Sequence, residues 1–304
     1  MNLLVNNYQN GNVNVRLYSD GSRIREFEDT PVYDFPCNID VKITNWCDLS
    51  EVCTYCHESS NKQGAHGDLD KLKDILDPLP GGIELAIGGG NPLSHPDIKD
   101  FLYYCKNRNW VCNLTVNELH LKNYKVLMHD LSIRSLVKAY GISFRGKGSL
   151  DLRYLIGDDD ENTVVHLIAG INTLKELDEL IDQGCKKFLI LGYKKDVGNG
   201  IDYYSKNQKD VDLNIKQWYM RLPLYFSDNL IFSFDNLAIE QLNVKRWFSD
   251  KEWEVFYQGN DFTNSMYIDA VKQEYAPTSR ASKYERVSFN KMNLIDYFNT
   301  YKLQ

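Results

Sequence analysis

Three cysteines, Cys47, Cys53 and Cys56, lie within ten residues, in the run Thr44-Asn-Trp-Cys-Asp-Leu-Ser-Glu-Val-Cys-Thr-Tyr-Cys-His57. Thiolates this close in sequence suit soft metals. Three of them can hold three irons of a cubane and leave the fourth iron without a protein ligand. An open metal position is where chemistry happens, whereas a fully ligated metal props up a fold.

Four readings of the cysteines compete. A structural zinc could take His57 or His66 as a fourth ligand, but it needs no glycine-rich turn elsewhere in the chain. Cys53-Thr-Tyr-Cys56-His57 matches the attachment pattern of c-type haem, whose attachment requires export. The N-terminus, Met1-Asn2-Leu3-Leu4-Val5-Asn6-Asn7, lacks a signal peptide's apolar stretch. A thiol–disulfide pair from Cys53 and Cys56 leaves Cys47 idle. An iron–sulfur cluster with an open iron uses all three, and a second feature favours it. The short strand Ile83-Glu-Leu-Ala-Ile87 runs into Gly88-Gly89-Gly90-Asn91-Pro92. The cysteines follow one expected strand and the triple glycine follows the next. The remaining cysteines read as packing: Cys105 on the apolar face of a helix, Cys112 inside a strand, Cys185 after a helix stop, and Cys37 at the far end of the first strand.

The elements that must position these groups follow from periodicity. Val13 to Phe27 alternates around Ser19-Asp20-Gly21-Ser22, a hairpin signal. Ile39-Asp-Val-Lys-Ile43 alternates and leads into the cysteines. Leu69, Leu72, Ile75 and Leu76 recur at helical spacing, and Pro78 ends that helix. A helix opening at Pro96 carries Ile98, Phe101, Leu102 and Cys105 on one face. Strands are expected over 111–116, within 135–144, over 164–169 and over 187–191, and a helix over 121–128. Thr173-Leu-Lys-Glu176 has the form of a capping box. Six strand-then-helix units in one direction predict a parallel sheet, flat or curled into a barrel, with functional groups at the carboxyl ends of the strands. After Tyr193 the repeat fades, and one alternating strand, 265–270, is expected in the C-terminal region. The expected division is an N-terminal β-hairpin extension over 1–34, an α/β strand–helix domain over 35–215, and a small α+β appendage over 216–304.

Of the 304 residues, 43% are hydrophobic, enough for a sizeable core, and the net charge is −7. That charge argues against a broad footprint on nucleic acid. No window approaches the ~20 apolar residues of a membrane span. A cytoplasmic protein is expected, in which cysteines serve metal, redox chemistry or packing rather than a disulfide framework.

From Phe35 to about Tyr193 the chain resembles the radical S-adenosylmethionine (radical SAM) enzymes, through the cysteine triad and through Gly88-Gly-Gly-Asn-Pro-Leu93-Ser-His-Pro-Asp97-Ile98, which is similar to the family's glycine turn and following helix. The resemblance implies that residues 35–215 form an α/β partial (β/α)6 TIM-like barrel, with a [4Fe-4S] cluster on Cys47, Cys53 and Cys56. Its open iron would chelate the amino and carboxylate groups of SAM. A flavodoxin or ferredoxin would supply the electron that cleaves the sulfonium, and the 5′-deoxyadenosyl radical would abstract hydrogen from a substrate. Two departures stand out. The spacing is C-x5-C-x2-C where C-x3-C-x2-C is usual, and Asn91 replaces the usual Glu of the glycine turn. The first reads as a bulged loop. The second removes a charge, and restoring it in Asn91→Glu is expected to keep or tighten SAM binding.

Carried over by position, Tyr55 would contact the adenine, and Gly89, Gly90 and Asn91 would bind the SAM amino group. Ser143 would contact the ribose or carboxylate, and Asn172 and Leu191 to Tyr193 would flank ribose and adenine. For Ser143 and Asn172, local turn hydrogen bonding competes with that role. The segments 233–237 and 266–270 resemble a cysteine-free remnant of the extension carried by peptide-modifying members, which points to a peptide or protein substrate. A nucleotide or other small metabolite is the alternative, and a non-catalytic zinc or iron–sulfur interaction module is the alternative outside enzymes. The C-terminal aromatics Trp247, Phe248, Trp253, Phe256, Tyr257, Phe262 and Tyr267 are expected to pack the appendage rather than close a barrel mouth.

Overall fold

The computed structural model describes residues 3–19, 21–146, 163–227 and 229–301. The expected hairpin is present, β2 (Val13–Tyr18) with β3 (Arg23–Glu26), although Asp20 of its turn lies outside the described residues. A strand the sequence reading missed, β1 (Leu4–Asn10), completes a three-stranded antiparallel sheet in the order β1-β2-β3. Its alternation is masked by polar residues, because β1 is largely exposed and needs apolar partners at few positions. Val13 and Val15 join the main core beside Tyr33 and Cys37. Arg23 pairs with Glu84 and donates to Asn38 Oδ1 at 2.6 Å, fastening this sheet to the amino end of the barrel.

The main sheet has ten strands. Six parallel strands run in chain order from β4 (Asn38–Thr44) through β5 (Glu84–Gly89), β6 (Val111–Asn117), β7 (Ala139–Ser143), β8 (Val164–Ile168) and β9 (Lys187–Leu191). Helices α1 (Leu69–Leu76), α2 (Ile98–Asn107), α3 (Glu118–Ile133) and α4 (Leu174–Asp182) separate them. The caps explain the boundaries. Asp68 accepts from the Lys71 amide at 2.9 Å, Asn117 from Leu119 at 3.0 Å, and Thr173 with Glu176 forms the reciprocal box. Cys37, Cys105, Cys112 and Cys185 are all buried in the core, as expected of packing residues.

The parallel repeat does not fade at Tyr193. A 23-residue helix, α5 (Asn199–Arg221), follows, and β10 (Ile231–Phe234) then pairs parallel with β9. The boundary expected at 215/216 falls inside α5. This helix was passed over because it is mostly polar. The signal is nevertheless present in Val211, Ile215, Trp218 and Leu222, spaced four, three and four apart, three of which are buried.

The C-terminal region, which carries α6 (Asn236–Gln241), α7 (Asp250–Phe256) and α8 (Leu294–Tyr301), also supplies three strands of the main sheet. β11 (Ser265–Asp269) pairs parallel with β4, and β12 (Glu274–Ala276) and β13 (Val287–Ser288) extend that edge antiparallel. The sheet curls so that its two edges face one another. Lys194, after β9, donates to Ser279 Oγ at 2.8 Å, and Arg280 pairs with Asp196 at 2.7 Å. The architecture is an open, partial β/α barrel.

Closed β/α barrels fill their centre with layers of bulky side chains. Here the inward positions of four strands are small or polar, Asp40 and Lys42 on β4, Ala86 and Gly88 on β5, Thr115 on β6 and Gly141 beneath His166 on β7, while β8 and β9 turn Ile168, Leu189 and Leu191 inward. The large apolar residues of the same strands, such as Ile39, Ile87, Leu114 and Ile142, point outward against the helices. The alternation therefore leaves a cavity of about 520 Å³ where a packed core would otherwise lie.

Most C-terminal aromatics pack as expected. Trp247, Phe248, Trp253, Phe256 and Tyr257 stack with Phe226 and Phe234, and Phe262 packs on Tyr297 and Phe298. Tyr267 differs: it lines the cavity. Among the described residues, no helix is long and apolar enough to cross a membrane.

Candidate functional site

The segment 45–66 leaves β4, carries the cysteines and returns beside its own start. Asn45 donates to Ala65 O at 2.8 Å, Cys47 to Asn61 O at 2.9 Å, and Asn61 back to Asn45 O at 3.1 Å. Within the loop, Cys53 donates to Leu49 O at 2.8 Å and Cys56 to Cys53 O at 3.1 Å. The two extra residues of the first spacing thus lie in hydrogen-bonded turns. Asp48 also anchors the loop, accepting from His120 Nε2 at 2.7 Å at the start of α3. From the far side, Asn199 at the head of α5 donates to Cys56 O at 3.0 Å. Gly198 (φ +53°) is required there, because a Cβ would strike the His57 carbonyl.

The glycine turn closes against the same loop. Gly90 donates to Thr44 O and Asn91 to Trp46 O, both at 2.8 Å. A Cβ on Gly89 (φ +118°) would meet Thr44 O, and one on Gly90 would meet Trp46 O. These glycines are needed first for the close approach of two backbones.

Cys47, Cys53, Cys56, Tyr55, Gly89 and Gly90 all line the one cavity. Ser143, Leu191 and Tyr193 line it too. Two expected cofactor residues do not. Asn91 is fully buried, and its side chain lies near the Tyr124 hydroxyl without a well-formed hydrogen bond. Asn172 spends its side chain on local structure, accepting from Ile168 N at 2.8 Å and donating to Phe144 O at 3.3 Å. Tyr55 packs edge-on against Tyr203 on α5, which in turn approaches Tyr193.

The three thiols feel one another. Burial pushes the Cys53 thiol up to about 12, with repulsion from Cys56 and Cys47 adding to it, and burial likewise raises Cys47. Bare, these two thiols stay protonated at neutral pH, and metal loading would expel their protons. A single tetrahedral ion, roughly 2.3 Å from each sulfur, would hold the sulfurs about 4 Å apart. Among the described residues, the three cysteine sulfurs do not all lie within 4.8 Å of one another; the one set of donors that does is Cys47, Asp48 and His120. Neither His57 nor His66 completes a tight site with the three cysteines. His57 instead reaches Glu58 at 3.3 Å, and His66 Nδ1 sits 2.8 Å from Thr44 Oγ1, outside the cavity.

Residues that the sequence reading left unassigned line the opposite wall. Lys42, almost fully buried, reaches Glu58 at 2.6 Å and Asp269 at 3.5 Å, and Tyr267 donates to Glu58 at 3.2 Å. Burial opposes the Glu58 charge, yet His57 and Lys42 hold its carboxyl well below the usual range. His57 is itself pushed down by burial and by Lys194, so the cation Glu58 faces at neutral pH is Lys42. This network ties the turn after Cys56 to β4 and β11. His166 on β8 turns into the cavity over Gly141, where a Cβ would collide with its ring, and burial pushes it down to about 4. The signal for these residues was the charge alternation Asp40, Lys42 in a strand otherwise buried on both faces.

No family model matches the chain, and no curated protein is detectably similar to it in sequence. Solved structures do match. The crystal structure of Streptococcus suis SuiB bound to S-adenosylmethionine aligns at TM-score 0.58 with 14% identity, covering 87% of this chain and 66% of that one. The two chains share a fold. SuiB bound to the precursor peptide SuiA aligns at TM-score 0.56 with 16% identity, covering 88% of this chain and 65% of that one. The chain therefore spans about two thirds of the length of SuiB.

Proposed function

We propose that this chain is a radical SAM enzyme acting on a peptide or protein. The observation that carries the reading is the convergence of three free thiols with a glycine turn at the adjoining strand end of one open cavity. The shared fold with SuiB, of which one structure holds SAM and another a precursor peptide, supports the cofactor and the substrate class.

Cys47, Cys53 and Cys56 would hold a [4Fe-4S] cluster. When bound, that group supplies an electron to SAM, ultimately from a reduced flavodoxin or ferredoxin, and so gives access to hydrogen abstraction. The chain's own contribution is placement and exclusion. Gly88 to Gly90 leave a side-chain-free shelf beside the cysteines. Tyr55, Leu191 and Tyr193 supply aromatic and apolar surface for a nucleoside, and Ser143 a hydroxyl. Asp48–His120 and Asn199–Cys56 O keep the loop in register. Lys42, Glu58 and Tyr267 wall the cavity on the C-terminal side, limiting what a reactive species can meet.

Anaerobic reconstitution tests this directly. The protein should become brown, bind about four irons per chain and release 5′-deoxyadenosine when reduced with SAM. Colourless protein holding one zinc, or a brown protein that releases no nucleoside, would overturn the reading.

A further inference from the structure

We propose that the floor of the cavity is a subsite for a cationic nitrogen group of the substrate, a primary ammonium or a guanidinium, received by Asp40. This inference deepens the enzyme reading above and rests on it for its purpose.

Asp40 sits mid-strand on β4, paired in register with Ala86 on β5 and Tyr267 on β11. Its side chain faces inward and remains exposed, because the cavity opens over it. Among the described residues it makes no hydrogen bond and no ion pair. The other floor groups are committed. Glu58 and Asp269 share Lys42 at 2.6 and 3.5 Å. Asp235 Oδ1 caps α6, accepting from Ala238 N at 2.7 Å and from Gly192 N at 2.9 Å. Lys194 is held by Ser279.

The charge count leaves the floor negative. Three cavity-lining carboxylates (Asp40, Glu58, Asp235) face two ammonium groups (Lys42, Lys194), a balance of 2 − 3 = −1. Burial lowers His166 toward its neutral form, so it does not offset that balance. Although the cavity reaches Asp40, the protein around the floor desolvates its carboxyl and, opposed by Lys194 and reinforced by Asp235 and Asp261, this pushes it up to about 6. That is the mark of a carboxylate short of a partner. Ala86 and Gly88 leave room above it, so a ligand can bring the missing cation.

SAM is itself cationic, so the test must separate cofactor from substrate. Butylammonium and methylguanidinium, with butanol and butyrate as controls, are titrated into the full-length protein and followed by ligand-observed NMR at pH 7.5. SAM affinity is measured separately by calorimetry. The two cations should bind and the controls should not. Asp40→Asn should weaken cation binding about tenfold or more with SAM affinity unchanged, and Asp40→Glu should retain cation binding within a few-fold. Equal binding of butanol, or cation binding indifferent to Asp40→Asn, overturns the subsite. So does a tenfold loss of SAM affinity in Asp40→Asn, which would assign Asp40 to the cofactor. Should Asp40→Asn fail to fold, loss of cation binding in Asp40→Glu, or its persistence at molar salt, overturns it equally. Cation binding intact in protein that loads no iron would sink the enzyme reading and leave the subsite standing.

Discussion

The two walls of the cavity are built on different principles. The cysteine wall is made of loops whose backbones bond to one another, with glycines wherever two strands of chain nearly touch. The opposite wall is made of side chains, charged groups compensating charged groups across β4, β11 and the turn after Cys56. The first has no room for added atoms where its backbones meet. The second tolerates neither the loss of a partner nor a change of sign. A binding surface for an invariant cofactor suits the first kind of construction, and a surface that must discriminate among substrates suits the second.

The largest effect should fall on the cysteine wall. Cys53→Ala should abolish both iron loading and nucleoside release, read from iron content and chromatography of 5′-deoxyadenosine. Retention of either would break the assignment of that wall. Next comes Lys42→Met on the opposite wall. It strands Glu58 and Asp269 without their cation and should cost about 3–5 kcal/mol in urea unfolding; a smaller loss would mean that the charge network is not what holds that wall together. Asn91→Glu sharpens the contrast further. From the sequence alone this change restores a family carboxylate and should favour SAM. In the structure it adds a charge to a fully buried side chain, so a loss of about 2 kcal/mol or more in stability is expected. Unfolding and SAM titration of one variant decide between the two.

The smallest effect concerns pH. The folded pKa of Asp40 lies above the value of about 4 expected when unfolded, so between the two the native state binds the extra proton and stability falls as pH rises. Above about pH 6 the ionised Asp40 is a standing cost that Asp40→Asn removes. Because the group faces cavity water, the gain should be small, about a degree or two in Tm at pH 7.5 and absent near pH 4, by differential scanning fluorimetry.

The sequence reading located the cysteine wall because its parts are local. A C-x5-C-x2-C run and a triple glycine each declare themselves within a dozen residues, and helices capped by Asp68 or Thr173 carry their own start signals. The opposite wall was illegible for a physical reason. Asp40, Glu58, Asp235 and Tyr267 come from four separate stretches and acquire meaning only when the sheet curls. Asn91 and Asn172 show the converse case: motif alignment assigns both to the ligand, yet the structure buries Asn91 beside Tyr124 and ties the Asn172 side chain to Ile168 and Phe144. α5 escaped because a long helix that buries one narrow stripe shows little contrast between its faces.

β4 has one further consequence, for how the molecule is made. Asn38 pairs with Ser265, 227 positions later (265 − 38). During synthesis the cysteine loop and β5 leave the ribosome long before the strand that covers β4's other edge exists. That edge stays open until β11 has been made, a late closure of the kind that slows assembly and invites misassociation.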